Sequence, residues 1–139
     1  MNHRRIGLRA LAWELPQDVL GALFYVGERL RGRVLGTVRE GDRFVVETTG
    51  TAISLGHVVF WSQRSSRWHD LDARNRRHEL GHAEQSRMLG PLYLPVVGVP
   101  SSARALYAVA YREATGRRWD GYYRGFPERW ADELGGVVR

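Results

Sequence analysis

The residues with the most chemical potential stand together in the run Arg77-His78-Glu79-Leu80-Gly81-His82. In a helix, His78 and His82 lie about one turn apart on one face. Two imidazoles so placed can grip one zinc ion, and zinc lowers the pKa of a bound water. Glu79 points to one side of that face. Its carboxylate can hold the water and take its proton during attack on a carbonyl. The stretch therefore reads as a hydrolytic zinc site.

Two histidines leave such a site one ligand short, because a hydrolytic zinc has three protein ligands and one open position. The chain has no cysteine, so His, Asp or Glu must supply the third. Near the C-terminal end stand Glu128 and Asp132, which share a face on a helix. Glu128 is a candidate third ligand. Asp132 is a candidate acceptor for the far nitrogen of a ligand histidine, His78 foremost, which would fix its tautomer. Asp120, Glu113 and Glu133 are rival third ligands. A fourth protein ligand, His57 or His69, would mark a closed structural zinc instead. Hydrolysis also needs a donor to the oxyanion, for which Tyr93, Tyr107, Tyr122, Tyr123, Arg124 and His69 are candidates.

The pair H-E-L-G-H and E-R-W-A-D resembles the gluzincin class of zinc metallopeptidases, which carry H-E-x-x-H and a later E-x-x-x-D. The short chain is similar to the minimal members, the minigluzincins. The run HELGHAEQSRMLGPLYLPVVGVPS also resembles small bacterial proteins of unassigned function. The gluzincin resemblance implies a zincin-like peptidase domain, with Zn2+ held by His78, His82 and Glu128. It makes Glu79 the general base and places Asp132 behind a ligand histidine. Arg76, Arg77 and Glu84 flank the motif here, which predicts a metal helix more exposed than in a large enzyme.

The elements that must position these residues are legible in outline. The 139 residues amount to one domain, 1–139. Residues 6–15 predict a short amphipathic helix that Pro16 ends, or whose successor it opens. Residues 17–31 place Val19, Leu20, Leu23, Phe24, Val26 and Leu30 at helical spacing. That apolar face can dock a partner or a membrane surface. The preferred reading packs it on the protein's own sheet, because a small domain needs it for a core. Segments 33–39, 43–49 and 52–61 predict three short antiparallel strands in a meander, with an outer edge that can pair with an extended substrate. His57 falls on the third strand, where a structural role is the ordinary one. Residues 62–70 read as a polar loop, with Asp70 or Asp72 capping the metal helix, 71–89. Residues 88–100 carry three prolines and predict an irregular apolar segment, a candidate pocket wall. Ser101 or Ser102 is expected to cap a helix over 102–114 with Leu106, Val109 and Ala110 inward. A loop rich in arginine and aromatics, 116–126, leads to a last helix from Pro127, ended by Gly135-Gly136. The class is α+β.

The net charge of +6 suits an acidic protein, nucleic acid or an anionic membrane surface. Aromatics and arginines in 116–126 could stack single-stranded nucleic acid, though a peptide or protein substrate is preferred as partner. Rival readings are a regulatory peptidase acting on a repressor and a non-catalytic zinc-stabilised binding module. No stretch is long and apolar enough to span a bilayer, and no signal peptide is convincing. The expectation is a cytoplasmic protein, with peripheral membrane contact through residues 6–31 as the alternative.

Overall fold

The computed structural model describes residues 6–65 and 71–139; His69 and Asp70 lie outside the described residues. The elements are α1 (Leu8–Trp13), α2 (Leu15–Leu30), β1 (Val34–Glu40), β2 (Arg43–Thr48), β3 (Ile53–Leu55), β4 (Val58–Trp61), α3 (Arg74–Leu89), α4 (Val99–Thr115) and α5 (Glu128–Gly135). The class is α+β, as expected.

The sheet corrects the three-stranded antiparallel meander. It has four strands in the order β1-β2-β4-β3. The β1–β2 and β3–β4 pairs are antiparallel, but β2 and β4 run parallel, with Phe44 opposite Val58 and Glu47 opposite Trp61. The cause is Gly56. Residues 52–61 read as one strand, yet Gly56 takes φ +63° and turns the run into a hairpin, a conformation glycine adopts without steric cost. A side chain there would also strike Asp18, whose Oδ1 would lie 2.0 Å from a Cβ. The returning strand β4 slots between β2 and β3, leaving β3 at one edge of the sheet and β1 at the other.

The core is small: Val45, Val46, Val59 and Phe60 of the sheet, Ala83 of α3, Tyr93, Val97 and Ala131 are all buried. Helix α3 lies between the sheet and α5. The expectation of an exposed metal helix does not hold. Its residues His78, Glu79, Gly81, His82, Ala83, Gln85 and Ser86 are buried. The flanking charges sit at the rim, with Arg76 paired to Glu40 and Arg87 to Asp42 at 2.8 Å. At the start of α3, Asp72 Oδ1 accepts the backbone N–H of Arg74 at 2.8 Å.

The α3–α5 approach depends on Gly81. A Cβ there would meet the Ala131 carbonyl oxygen at 1.9 Å. Alanine in a helix interior is otherwise favoured over glycine by about 1 kcal/mol, so the sign is diagnostic. Gly81→Ala is expected to destabilise the protein by roughly 1–3 kcal/mol, the usual cost of overpacking, measured by denaturant unfolding.

Helix α2 inverts the expected packing. It meets the body through Gln17, Gly21 and Glu28, which are buried, and through the Phe24 ring, edge-on to Phe60 at 5.1 Å. Val19, Leu20, Leu23, Val26 and Leu30 are exposed. The physical reason is a buried polar cluster at the α1–α2 elbow. Arg43 Nη1 donates to Glu14 Oε1 at 2.9 Å and to the Gly56 carbonyl at 2.8 Å, and its Nη2 donates to the Ala83 carbonyl at 3.1 Å. Ser86 Oγ donates to Glu14, and Gln17 Nε2 donates to Ser86 Oγ at 3.0 Å. Asp18 accepts the backbone N–H of His57 at 2.7 Å and lies 2.9 Å from its Nδ1. These polar groups need partners once buried, so they fix which face of α2 turns inward.

Residues 90–98 are helical rather than irregular: a 3₁₀ turn (Gly90–Leu92) and a π turn (Leu94–Gly98) lead into α4. Each proline falls in the first positions of its turn, where a missing N–H costs nothing. Helix α4 therefore starts before Ser101, and no serine side chain caps it. Its buried residue is Ala108, while Leu106 and Ala110 are exposed. Gly116 and Gly136, both at φ +67°, end α4 and α5.

Candidate metal centre

Helical spacing on α3 and the approach of α5 bring three donors together. His78, His82 and Glu128 each offer an atom within 4.8 Å of the others, and all three are buried. Glu128 Oε2 lies 2.9 Å from His78 Nε2 and 3.1 Å from His82 Nε2. The rings stand edge to face, with centroids 4.7 Å apart.

The opposite side of each ring is tied down. His78 Nδ1 is 2.7 Å from Asp132 Oδ1, and His82 Nδ1 is 2.7 Å from Gln85 Oε1. Gln85 Nε2 donates to the Pro127 carbonyl at 3.0 Å, which orients the amide so that its oxygen faces the ring. Both partners are acceptors, so each Nδ1 carries a proton, which leaves each Nε2 as the atom that would turn a lone pair to a metal at the shared point. Asp132 is itself held by Arg139 Nε at 2.6 Å. Ser101 Oγ donates to Glu128 Oε1, leaving Oε2 to face the imidazoles. Two imidazoles and a carboxylate, oriented in this way, fit the donor set of a divalent metal with an open position, whose binding would displace the Nε2 proton of His78.

In the metal-free protein His78 and Glu128 pair as ions. Burial works against a charge on His78, but hydrogen bonds to Asp132 and Glu128 outweigh it and raise its pKa to about 9. Burial also opposes the Glu128 carboxylate, yet its bonds with His78 and His82 hold it well below the usual carboxylate range. Asp132 is lowered too, as His78 and Arg139 overcome its burial. Glu79 goes the other way: burial raises it. The cluster thus holds Glu128 ionised, while burial makes Glu79 the more readily protonated of the two carboxylates.

Glu79, His82, Ser54, Tyr93, Ser101 and Tyr122 border a cleft of about 150 Å³, together with Ala52, Ile53, Leu94 and Gly98. Its rim is the outer strand β3 on one side and the turns before α4 on the other. Ser54 Oγ donates to the Glu79 carbonyl and lies 3.1 Å from Glu79 Oε2. Tyr93 donates its hydroxyl proton to the Ser54 carbonyl at 2.9 Å. One carbonyl of the three-residue edge strand is thereby occupied, and Ala52 and Ile53 remain as the stretch beside the cleft.

The other sequence candidates take these places. Tyr122 lines the cleft, and burial raises its hydroxyl pKa well above 10. Tyr123 stands edge-on to His78 at 5.2 Å, with the Arg139 guanidinium over its ring at 3.3 Å. Tyr107 packs on Trp119 at 4.6 Å. His57 sits in the β3–β4 turn with Asp18, apart from the ligand group. Glu133 pairs with Arg129 on the surface, and Glu113 and Asp120 are exposed. Three supporting residues were not among the sequence candidates. Gln85 carries a usable signal, three positions after His82 on the same helix face. Ser54 and Ser101 carry none, because only the folded chain brings them near Glu79 and Glu128.

Ser101→Ala removes the hydrogen bond that orients Glu128. The expected result is metal affinity lower by about 10–100-fold, the usual cost of losing a partner behind a ligand, with the fold intact; competition against a chromophoric chelator measures it. No family model, curated protein or solved structure matches this chain, so the geometry of the centre carries its reading.

Proposed function

We propose that this chain is a zinc-dependent metallopeptidase of gluzincin type, with His78, His82 and Glu128 holding one Zn2+ and Glu79 acting as general base. One observation carries the reading: both histidines have Nδ1 fixed by an acceptor, so that both Nε2 atoms converge on Glu128 Oε2 beside the buried Glu79 carboxylate. When bound, zinc supplies a Lewis acid and a water of lowered pKa.

The chain's own groups do the rest. Glu79, raised by burial, takes a proton from the attacking water and returns it to the leaving amine. Ser54, within hydrogen-bonding distance of Glu79 Oε2, holds that carboxylate in one orientation. Tyr122 keeps its proton at neutral pH and faces the cleft, so it is the donor assigned to the developing oxyanion. The substrate chain lies against Ala52 and Ile53. The pocket volume suits a small side chain beside the scissile bond.

The deciding experiment is a screen of the zinc-loaded protein against a mixed peptide library, read by mass spectrometry, with Glu79→Gln as control. Cleavage by wild type and none by Glu79→Gln supports the reading. Absence of cleavage by protein with full metal content favours a zinc-stabilised binding module.

A further inference from the structure

We propose that the outer face of α1 and α2 seats the protein on an anionic membrane surface. The observation is an inside-out polarity. In an ordinary surface helix the apolar stripe faces the core and charges face water. Here every carboxylate of residues 6–33 turns inward or is held by a partner. Glu14 is 1% exposed and bonded to Arg43, Glu28 is 2% exposed and accepts the Thr51 hydroxyl at 3.1 Å, and Asp18 holds His57. Leu15, Val19, Leu23, Val26 and Leu30 recur at intervals of three or four and form one stripe on the outside. Leu23 is 66% exposed and Leu30 84%. Helix α1 buries no residue, and its Leu8 is 86% exposed.

The exposed charges of residues 6–33 are all arginines. Arg9, Arg29, Arg31 and Arg33 are exposed. Glu28 comes no closer than 3.8 Å to Arg31 and 4.0 Å to Arg33, so it offsets only part of their charge. Apolar side chains bordered by cations match an interface of acyl chains and anionic headgroups. Contact is peripheral, since no helix among the described residues is long and apolar enough to cross a membrane.

The test is co-sedimentation of the full chain with vesicles of phosphatidylcholine alone and of phosphatidylcholine with phosphatidylglycerol in equal parts. Binding to the mixed vesicles is expected, weakened by high salt and weak on phosphatidylcholine alone. Leu23→Glu with Val26→Glu should abolish it. Replacing Arg29 and Arg31 by Ala should weaken it about fivefold for each arginine. All four positions are exposed, so unchanged circular dichroism and metal content verify the fold. Failure of folded wild type to bind the mixed vesicles overturns the proposal. So does equal, salt-insensitive binding to both vesicle types. A dimer in sedimentation velocity that Leu23→Glu with Val26→Glu dissolves would also overturn it, by placing a second copy on this face.

Discussion

Glu79→Gln is expected to keep one zinc per chain and to slow peptide hydrolysis by about 10²–10⁴-fold, the range a positioned general base supplies. The substitution is nearly isosteric, and the amide can keep its contact with Ser54 Oγ, which lies 3.1 Å from the carboxylate now. It removes only the group that would accept and return the proton in the proposed reaction. Glu79 is not one of the three converging donors, so metal content should not change. Elemental analysis and steady-state kinetics on the same preparation check both halves. A variant that loses metal along with activity would make Glu79 a ligand rather than a base.

Removing a ligand should act differently. His82→Ala and Glu128→Ala are each expected to lower zinc affinity by more than the roughly 10–100-fold cost of losing a partner behind a ligand. Asp132→Asn, which still leaves an acceptor beside His78 Nδ1, should stay within that smaller range. Glu128 carries a second consequence. It is fully buried between two imidazoles, and taking one partner from a buried charged pair costs about 3–5 kcal/mol. Metal-free Glu128→Ala is therefore expected to melt well below metal-free wild type, with Glu128→Gln between them. Chelator competition and thermal unfolding without metal read the two effects separately. Equal melting temperatures would mean that Glu128 is not engaged with the histidines.

Much of the centre was legible because it rests on helical spacing. His78 and His82 on α3, and Glu128 and Asp132 on α5, are four apart, and any regular helix puts each pair on one face. The helix ends were legible as well, since Gly116 and Gly136 occupy left-handed positions that favour glycine. What stayed hidden depends on tertiary burial. The apolar spacing of α2 was real, but Glu14, Gln17 and Asp18 were claimed by Arg43, Ser86, Gly90 and His57, and that cluster turned the stripe outward. The split of 52–61 rested on one glycine in a run otherwise rich in strand-forming residues. The prolines of 88–100 suggested irregularity, yet each sits where a turn begins and its missing N–H is harmless. Ser54 and Ser101 are ordinary serines until folding sets them against Glu79 and Glu128.

The most direct test of the centre is zinc K-edge X-ray absorption of the zinc-loaded wild-type protein, with metal content from the same sample. One zinc per chain is expected, coordinated by two imidazoles and oxygen atoms from Glu128 and water, at the roughly 2.0–2.2 Å typical of such ligands. Failure to retain zinc, or a closed shell with three or more imidazoles, would contradict the His78–His82–Glu128 site and the hydrolytic reading built on it.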